Sequence, residues 1–253
     1  MEKIALITGV TSGIGKACAE ILAENGYHLI ITGRRSERLK NVSKHLIEKY
    51  GVKTLALSFD IRNRMEVEKS LGNLPVEWNN IDVLVNNAGL AAGVDPIHEG
   101  NTDDWDRMID TNVKGLLYVS RVIIPMMVKR KRGHIVNISS IAGKEVYPNG
   151  NVYCASKHAV DALSKGMRID LLNYSIKITN IAPGMVETEF SEVRLHGDLT
   201  AAKNVYSGME PLQAKDIADT VWFAVSRPAH VQIGDVLILP AAQASATNVR
   251  REG

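Results

Sequence analysis

Cysteine is almost absent from this chain: 253 residues carry two, Cys18 and Cys154, far apart in the sequence. That is too few and too scattered for a metal centre or for the disulfide framework of a secreted protein. An excess of charge of one sign is also lacking. Thirty Lys and Arg stand against 28 Asp and Glu, a formal net charge of +2, and so balanced a surface exerts no long-range pull on a polyanion. Nucleic acid is therefore not an expected partner. No stretch approaches the ~18 uninterrupted apolar residues of a membrane helix; the richest, Val122 to Val128, contains Pro125. The first apolar run, Ile4-Ala5-Leu6-Ile7, is shorter than the core of a secretory signal and lacks a small-residue cleavage site. A soluble cytoplasmic protein without a membrane partner is expected. Repeats, low-complexity tracts and Ser/Pro/Gly-rich linkers are missing, so one domain spanning 1–253 is expected. Neither a Gly-x-Ser-x-Gly elbow nor a His/Cys cluster occurs, which removes the simplest hydrolase and metalloenzyme readings; no metal is expected.

What is present is an alternation of element types. Short β-branched, apolar runs lie at Ile4–Thr8, His28–Thr32, Thr54–Ser58, Val83–Asn86, His134–Ser139, Lys177–Ile181 and Val236–Leu239. Their apolar character on both faces suits strands covered on both sides. Between them, helical spacing runs through Gly13–Asn25, Ser36–Tyr50, Arg64–Leu71, Asp103–Arg130, Val152–Asn173 and Ala214–Ser226. Strand, helix, strand repeated this often predicts right-handed βαβ crossovers and an α/β fold: a single doubly wound, Rossmann-type parallel sheet of about seven strands with helices on both faces. In such sheets ligands bind at the carboxyl ends of the strands, where the strand order reverses.

The first strand ends in Thr8-Gly9-Val10-Thr11-Ser12-Gly13-Ile14-Gly15 and a helix follows. Glycines let the backbone approach a pyrophosphate closely, and the helix N-terminus then receives it, so Gly9, Thr11, Ser12, Gly13, Ile14 and Gly15 are candidate cofactor residues. A turn before a helix also favours glycine, and the strand–loop–helix context is what strengthens the reading. The second strand ends in Thr32-Gly33-Arg34-Arg35. An NAD-binding fold usually places an acid here, which repels a 2′-phosphate. Arg34 and Arg35 instead offer guanidinium forks that suit a phosphate dianion, which points to NADP. A solvated basic pair opening the second helix is the plainer alternative, disfavoured because cations there oppose the helix dipole.

In Tyr153-Cys154-Ala155-Ser156-Lys157 a tyrosine and a lysine share one helical face. An ammonium beside a phenol lowers its pKa, which would make a proton donor and acceptor for carbonyl–alcohol interconversion. Ser139-Ser140, at the end of the fifth strand, adds hydroxyls at the ligand edge, although serine is also a common turn former.

Together, Thr8-Gly9…Gly13…Gly15, Asp60, Asn86-Asn87-Ala88-Gly89, Asn112, Ser140, Tyr153…Lys157 and Pro183-Gly184…Thr188 resemble the short-chain dehydrogenase/reductase family over essentially the whole chain. The resemblance implies Tyr153 as general acid/base. Lys157 would be its pKa partner and a holder of the nicotinamide ribose. Ser140 would polarise the substrate carbonyl, and Asn112 would hold a water linking Lys157 to solvent, although Asn112 could also be a helix irregularity beside Gly115. Asp60 and Ile61 would contact adenine. Asn87, Ala88 and Gly89 would line the ribose and nicotinamide side, with Asn86 tying strands together. Pro183, Gly184, Val186 and Thr188 would cover the nicotinamide. In such an enzyme the cofactor supplies the hydride chemistry and the protein orients it.

A narrower likeness exists. Thr32-Gly33-Arg34-Arg35, Asn80-Ile81-Asp82, Asn87-Ala88-Gly89-Leu90-Ala91, Gly150-Asn151-Val152-Tyr153, Phe190-Ser191-Glu192-Val193-Arg194 and Pro228-Ala229-His230-Val231 are similar to the bacterial NADP-dependent 3-hydroxy acid dehydrogenases. These oxidise serine, allo-threonine and 3-hydroxyisobutyrate and reduce malonic semialdehyde. Gly184 to Thr188 is one residue shorter than that group's pattern. The likeness implies a homotetramer and a small 3-hydroxy acid as substrate, with residues 187–210 as a lid. Arg194, one helical turn after Phe190, is the candidate holder of the substrate carboxylate beside Ser140 and Tyr153. The plainer reading is an arginine paired with Glu187, Glu189 or Glu192; Lys144 and Asn149 are the next candidates. Rival functions are a reductase of 3-oxoacyl thioesters or sugar alcohols, and a non-catalytic dinucleotide sensor, for which an intact Ser140, Tyr153 and Lys157 would be superfluous.

Overall fold

The inner apolar runs become strands buried from both sides, whereas the first and last strands of the sheet, Thr54–Ser58 and Asp235–Ile238, are edges and stay partly exposed. A computed structural model describes residues 2–252. In β1 (Lys3–Thr8), every residue after Lys3 is buried. Its side chains alternate between two cores: Ala5 and Ile7 face one, Ile4 and Leu6 the other. The same period of two sorts β2 (Tyr27–Gly33) and most of β4 (Ile81–Asn86), where Leu29, Ile31, Val83 and Val85 point one way and Ile30 and Leu84 the other; Ile81 joins Leu84 because the register with β1 shifts before Val83. With β3 (Thr54–Ser58), β5 (Gly133–Ile138) and β6 (Ile176–Pro183), these strands pair in parallel, and a later edge strand completes a seven-stranded sheet.

Helices cover both faces. On one side α1 (Gly13–Glu24) and α2 (Ser36–Tyr50) place Leu22, Leu39 and Leu46 on the sheet. On the other, α3 (Arg64–Gly72) contributes Val67 and Leu71. The predicted helix Asp103–Arg130 is two helices. Between α4 (Thr102–Ile109) and α5 (Leu116–Arg130) the backbone widens into a π segment at Asp110–Gly115. At its end Gly115 lets Ile61 approach: a β-carbon there would lie 2.7 Å from Ile61 Cδ1. Hydrophobic periodicity cannot detect one extra residue per turn, which explains the correction.

The rest of the frame is α6 (Asn151–Asp170), a lid strand β7 (Val186–Glu187), lid helices α7 (Phe190–Arg194) and α8 (Leu199–Asn204), and β8 (Leu212–Gln213). Then α9 (Ala214–Val225) packs on α1, and β9 (Asp235–Ile238) forms the sheet edge. The short β7 and β8 pair in parallel and tie the two ends of the lid together. The sheet order is β3-β2-β1-β4-β5-β6-β9, so the direction of winding reverses between β1 and β4. Open α/β sheets place a crevice beyond the strand ends at that point. Among the described residues no helix is long and apolar enough to cross a membrane.

Candidate active site

A cleft of about 610 Å³ lies beyond the carboxyl ends of the strands. Every cofactor, substrate and catalytic candidate from the sequence lines it except Asn112 and the reserve anchors Lys144 and Asn149.

At one end, the loop after β1 turns through Gly9 (φ +72°) and Gly13 (φ +54°), left-handed conformations that glycine adopts without strain. Gly15 is needed for a different reason. A β-carbon there would lie 2.3 Å from Gly9 O and 2.4 Å from Asn87 Nδ2. Asn87 braces this loop, donating to Thr8 O at 2.8 Å and Gly9 O at 3.1 Å. Ser12 precedes α1 without capping it by its side chain, which leaves the first helical amides facing the cleft. This cradle of bare amides and a helix N-terminus suits the pyrophosphate of a dinucleotide. Arg35 crosses it, with Nη2 donating to Thr11 Oγ1 at 2.7 Å and Ser12 Oγ at 2.9 Å. Arg34 is half-exposed, 3.8 Å from Asp60. Burial alone would raise the Asp60 carboxyl; the hydrogen bonds and charge of Arg62, with Arg34 adding, outweigh it and hold the carboxyl below its usual range. Asn86 ties the strands as expected, donating to Asn137 Oδ1 at 2.9 Å and Ser120 Oγ at 3.1 Å.

At the other end, α6 delivers Tyr153 and Lys157 to the cleft, both buried. The expected lowering of the phenol by Lys157 is not what the structure shows. Burial raises the phenol well above its ordinary value, the Tyr147 phenol adds to this, and the facing Ser140 hydroxyl and the Arg194 charge oppose it. Lys157 Nζ sits 6.0 Å from the Tyr153 ring centre and donates to Ile138 O at 3.0 Å. Burial pushes its own pKa down to about 8. Ser140 begins the turn after β5, accepting from Ala142 N at 3.1 Å.

Asn112 stands behind this group. The π segment turns its amide toward Leu90, whose N–H and carbonyl it bonds at 2.8 Å each, and it donates to Ser156 Oγ at 2.9 Å. Its side chain is thus engaged by protein, bracing Leu90 against α6. Asn112 is the helix irregularity that the sequence also allowed, and its side chain is near Lys157. A β-carbon at Gly89 would touch Asn112 Oδ1 at 3.1 Å and Lys157 Nζ at 3.4 Å.

The lid folds over the cleft. Thr188 comes within 3.2 Å of the position a Gly13 β-carbon would take, and the Phe190 ring lies 5.7 Å from that of Tyr153. Arg194 does not pair with Glu187, Glu189 or Glu192. Its guanidinium sits between two phenols, 5.5 Å from the Tyr147 ring centre and 5.8 Å from that of Tyr153. Nη1 donates to Tyr147 Oη at 3.2 Å, and Nε is buried without a partner among the described residues. The reserve candidates lie elsewhere. Lys144 is bound to Asp161 and Asp235, and Asn149 (φ +62°) borders a separate small recess.

The sequence matches the family model described as short chain dehydrogenase over residues 3–198. The chain belongs to this family. It is 45% identical over 244 residues to the NADP-dependent 3-hydroxy acid dehydrogenase YdfG of Salmonella typhi, covering 96% of this chain and 97% of the relative. Identity to the protein of that name from Escherichia coli (strain K12) is 43% over 251 residues, 98% of this chain and 100% of the relative. A Schizosaccharomyces pombe NADP-dependent 3-hydroxy acid dehydrogenase is 41% identical over 251 residues, covering 99% and 97%. Among solved structures, the closed form of serine dehydrogenase complexed with NADP+ superposes with a TM-score of 0.91 at 43% identity, covering 98% of this chain and 100% of that one.

Tyr147 and Arg38 of this short-chain dehydrogenase escaped the sequence reading, and Glu189 was weighed there only as a partner for Arg194. Tyr147 is one of the two phenols holding Arg194, while Glu189 and Arg38 join the lid to α2. Tyr147 lies six positions before Tyr153 in a loop whose course the sequence does not indicate. Arg38 follows Arg35 by one helical turn, a spacing that could have shown it sharing the same face.

Proposed function

We propose that this short-chain dehydrogenase uses NADP(H) to interconvert a small 3-hydroxy acid, of the serine, allo-threonine or 3-hydroxyisobutyrate type, with its 3-oxo acid. One observation favours a carboxylate-bearing substrate over a thioester or polyol. Arg194 lies in the cleft beside Tyr153, with a buried donor that has no protein partner and no carboxylate bonded to its guanidinium among the described residues. A half-buried guanidinium in that state is a ready receptor for a carboxylate. The names of the relatives support both the substrate class and the cofactor.

Arg34 and Arg35 would face the 2′-phosphate and the glycine loop the pyrophosphate. Asp60, Ile61 and Asn87 to Gly89 would hold the adenosine, while Lys157 and Pro183 to Thr188 would hold the nicotinamide half. When bound, the dinucleotide supplies the two-electron chemistry, accepting a hydride from the alcohol or returning one to the carbonyl. The residues do the rest. Arg194 holds the carboxylate, and the lid with Phe190 excludes water. Ser140 bonds the reacting oxygen, and Tyr153 takes its proton in oxidation and gives it back in reduction. Lys157 places a cation within reach of that proton path, and Asn112 keeps Leu90 and α6 in register.

The direct experiment is a spectrophotometric survey of NADP reduction with serine, 3-hydroxyisobutyrate, polyols and a hydroxyacyl thioester. The acids should give the highest kcat/KM; faster turnover of the polyols or the thioester would reassign the substrate class, and no turnover at all would favour a sensor.

A further inference from the structure

The nucleotide end of the cleft already carries an anion belonging to the protein. Glu189, just before lid helix α7, extends its carboxylate to two arginines at the start of α2. Oε2 accepts from Arg35 Nη1 at 2.9 Å, and Oε1 accepts from Arg38 Nη1 at 2.8 Å. Burial would raise this carboxyl, but the hydrogen bonds and charges of Arg35 and Arg38 outweigh it, so it is lowered and ionised at neutral pH. The same Arg35 grips Thr11 and Ser12 of the phosphate loop. One guanidinium therefore touches both the floor that receives a dinucleotide and the lid above it.

A carboxylate and a phosphate monoester offer a guanidinium fork similar acceptor geometry. The Arg35 edge bonded to Glu189 cannot serve a 2′-phosphate at the same time. In the free protein the carboxylate also relieves the repulsion between Arg35 and Arg38, holding Arg38 beside Arg35, which lines the cleft.

We propose that Glu189 is a built-in competitor for the arginines that receive the 2′-phosphate, and that Arg38 is a third member of that phosphate site. The proposal rests on the NADP reading. Glu189 thereby sets the margin by which the enzyme distinguishes a 2′-phosphorylated nucleotide from its unphosphorylated counterpart. A phosphate monoester carries nearly two charges at neutral pH against one for the carboxylate, so it displaces Glu189. A nucleotide with a free 2′-hydroxyl has no group to do so and leaves the contact in place.

The test uses adenosine 2′,5′-bisphosphate and ADP, which fill the nucleotide end without the nicotinamide, titrated calorimetrically into the full-length protein. Glu189→Gln keeps the side chain's size and removes its charge. It should tighten the 2′,5′-bisphosphate about three- to fivefold, the range of a half-exposed ion pair, and leave ADP unchanged. No tightening, or equal tightening of both nucleotides, would overturn the proposal. Arg35→Ala separates this from the underlying reading, since it should weaken the 2′,5′-bisphosphate far more than ADP. If Arg35→Ala affects both equally, the NADP assignment fails. If Arg35→Ala discriminates and Glu189→Gln does not, only the competitor role fails.

Discussion

Replacing Arg194 by Met keeps an unbranched apolar stem and removes the guanidinium. That guanidinium makes one hydrogen bond, to the neutral Tyr147 hydroxyl, and holds a buried Nε with no partner among the described residues. Its electrostatic capacity is largely unused until an anion arrives. A charge-assisted bond contributes about 1.5–3 kcal/mol, so kcat/KM for serine or 3-hydroxyisobutyrate should fall about ten- to 150-fold. The substitution has a second effect. Arg194 is one of the groups opposing the burial-driven rise of the Tyr153 phenol, so its loss should move the alkaline inflection of oxidation upward. That effect acts on every substrate. The acid must therefore be compared with its own methyl ester, which has the same reacting carbon and no charge. In steady-state NADP reduction, the acid-to-ester ratio of kcat/KM should collapse in Arg194→Met and recover partly in Arg194→Lys. An unchanged ratio, with both substrates losing equally, would refute the carboxylate role and leave Arg194 as a brace between two phenols.

Tyr153→Phe should lower kcat about 100- to 10,000-fold, the usual worth of a positioned acid/base, while NADP still binds; substantial residual turnover would move the proton transfer to another group. Gly15→Ala should abolish tight cofactor binding, because its methyl would meet Gly9 O at 2.3 Å, whereas Gly166→Ala in α6 meets nothing within 4 Å and should stabilise the helix by about 0.5–1 kcal/mol. Calorimetric titration and thermal melts check the pair. His134 is buried on β5, its Nε2 2.8 Å from Thr179 Oγ1, with Nδ1 bare; burial, aided by the charge of Lys177, pushes its pKa down to about 3. Since the folded value lies below that of the unfolded chain, the unfolded state takes the proton first, and stability falls as pH drops below about 6.5. Between pH 7 and 5 this one group should cost about 2 kcal/mol in urea denaturation, a slope that His134→Gln should remove.

The sequence by itself determined the layers and the glycine-loop end of the cleft. Strand runs such as Ile4–Thr8 and Thr54–Ser58, the Gly9–Gly15 spacing and the Tyr153/Lys157 pair are local patterns, written within a few residues by the periods of strand and helix and by what only glycine tolerates. A parallel sheet then brings all its strand ends to one edge, so candidates far apart in the chain line one cleft without their contacts being known. Tertiary structure decided which charged and polar groups meet. Three glutamates near Arg194 were plausible partners, yet the lid places its guanidinium between Tyr147 and Tyr153, and Glu189 goes to Arg35 and Arg38. Lys144 was a plausible anchor until Asp161 and Asp235, from α6 and the sheet edge, bound it. Lys157 reaches the Ile138 carbonyl in preference to the phenol four residues before it, and Asn112 turns inward only because the π segment adds a residue to its turn. Long side chains swing through several ångströms at little cost, so their partners follow from how distant elements pack and not from spacing along the chain.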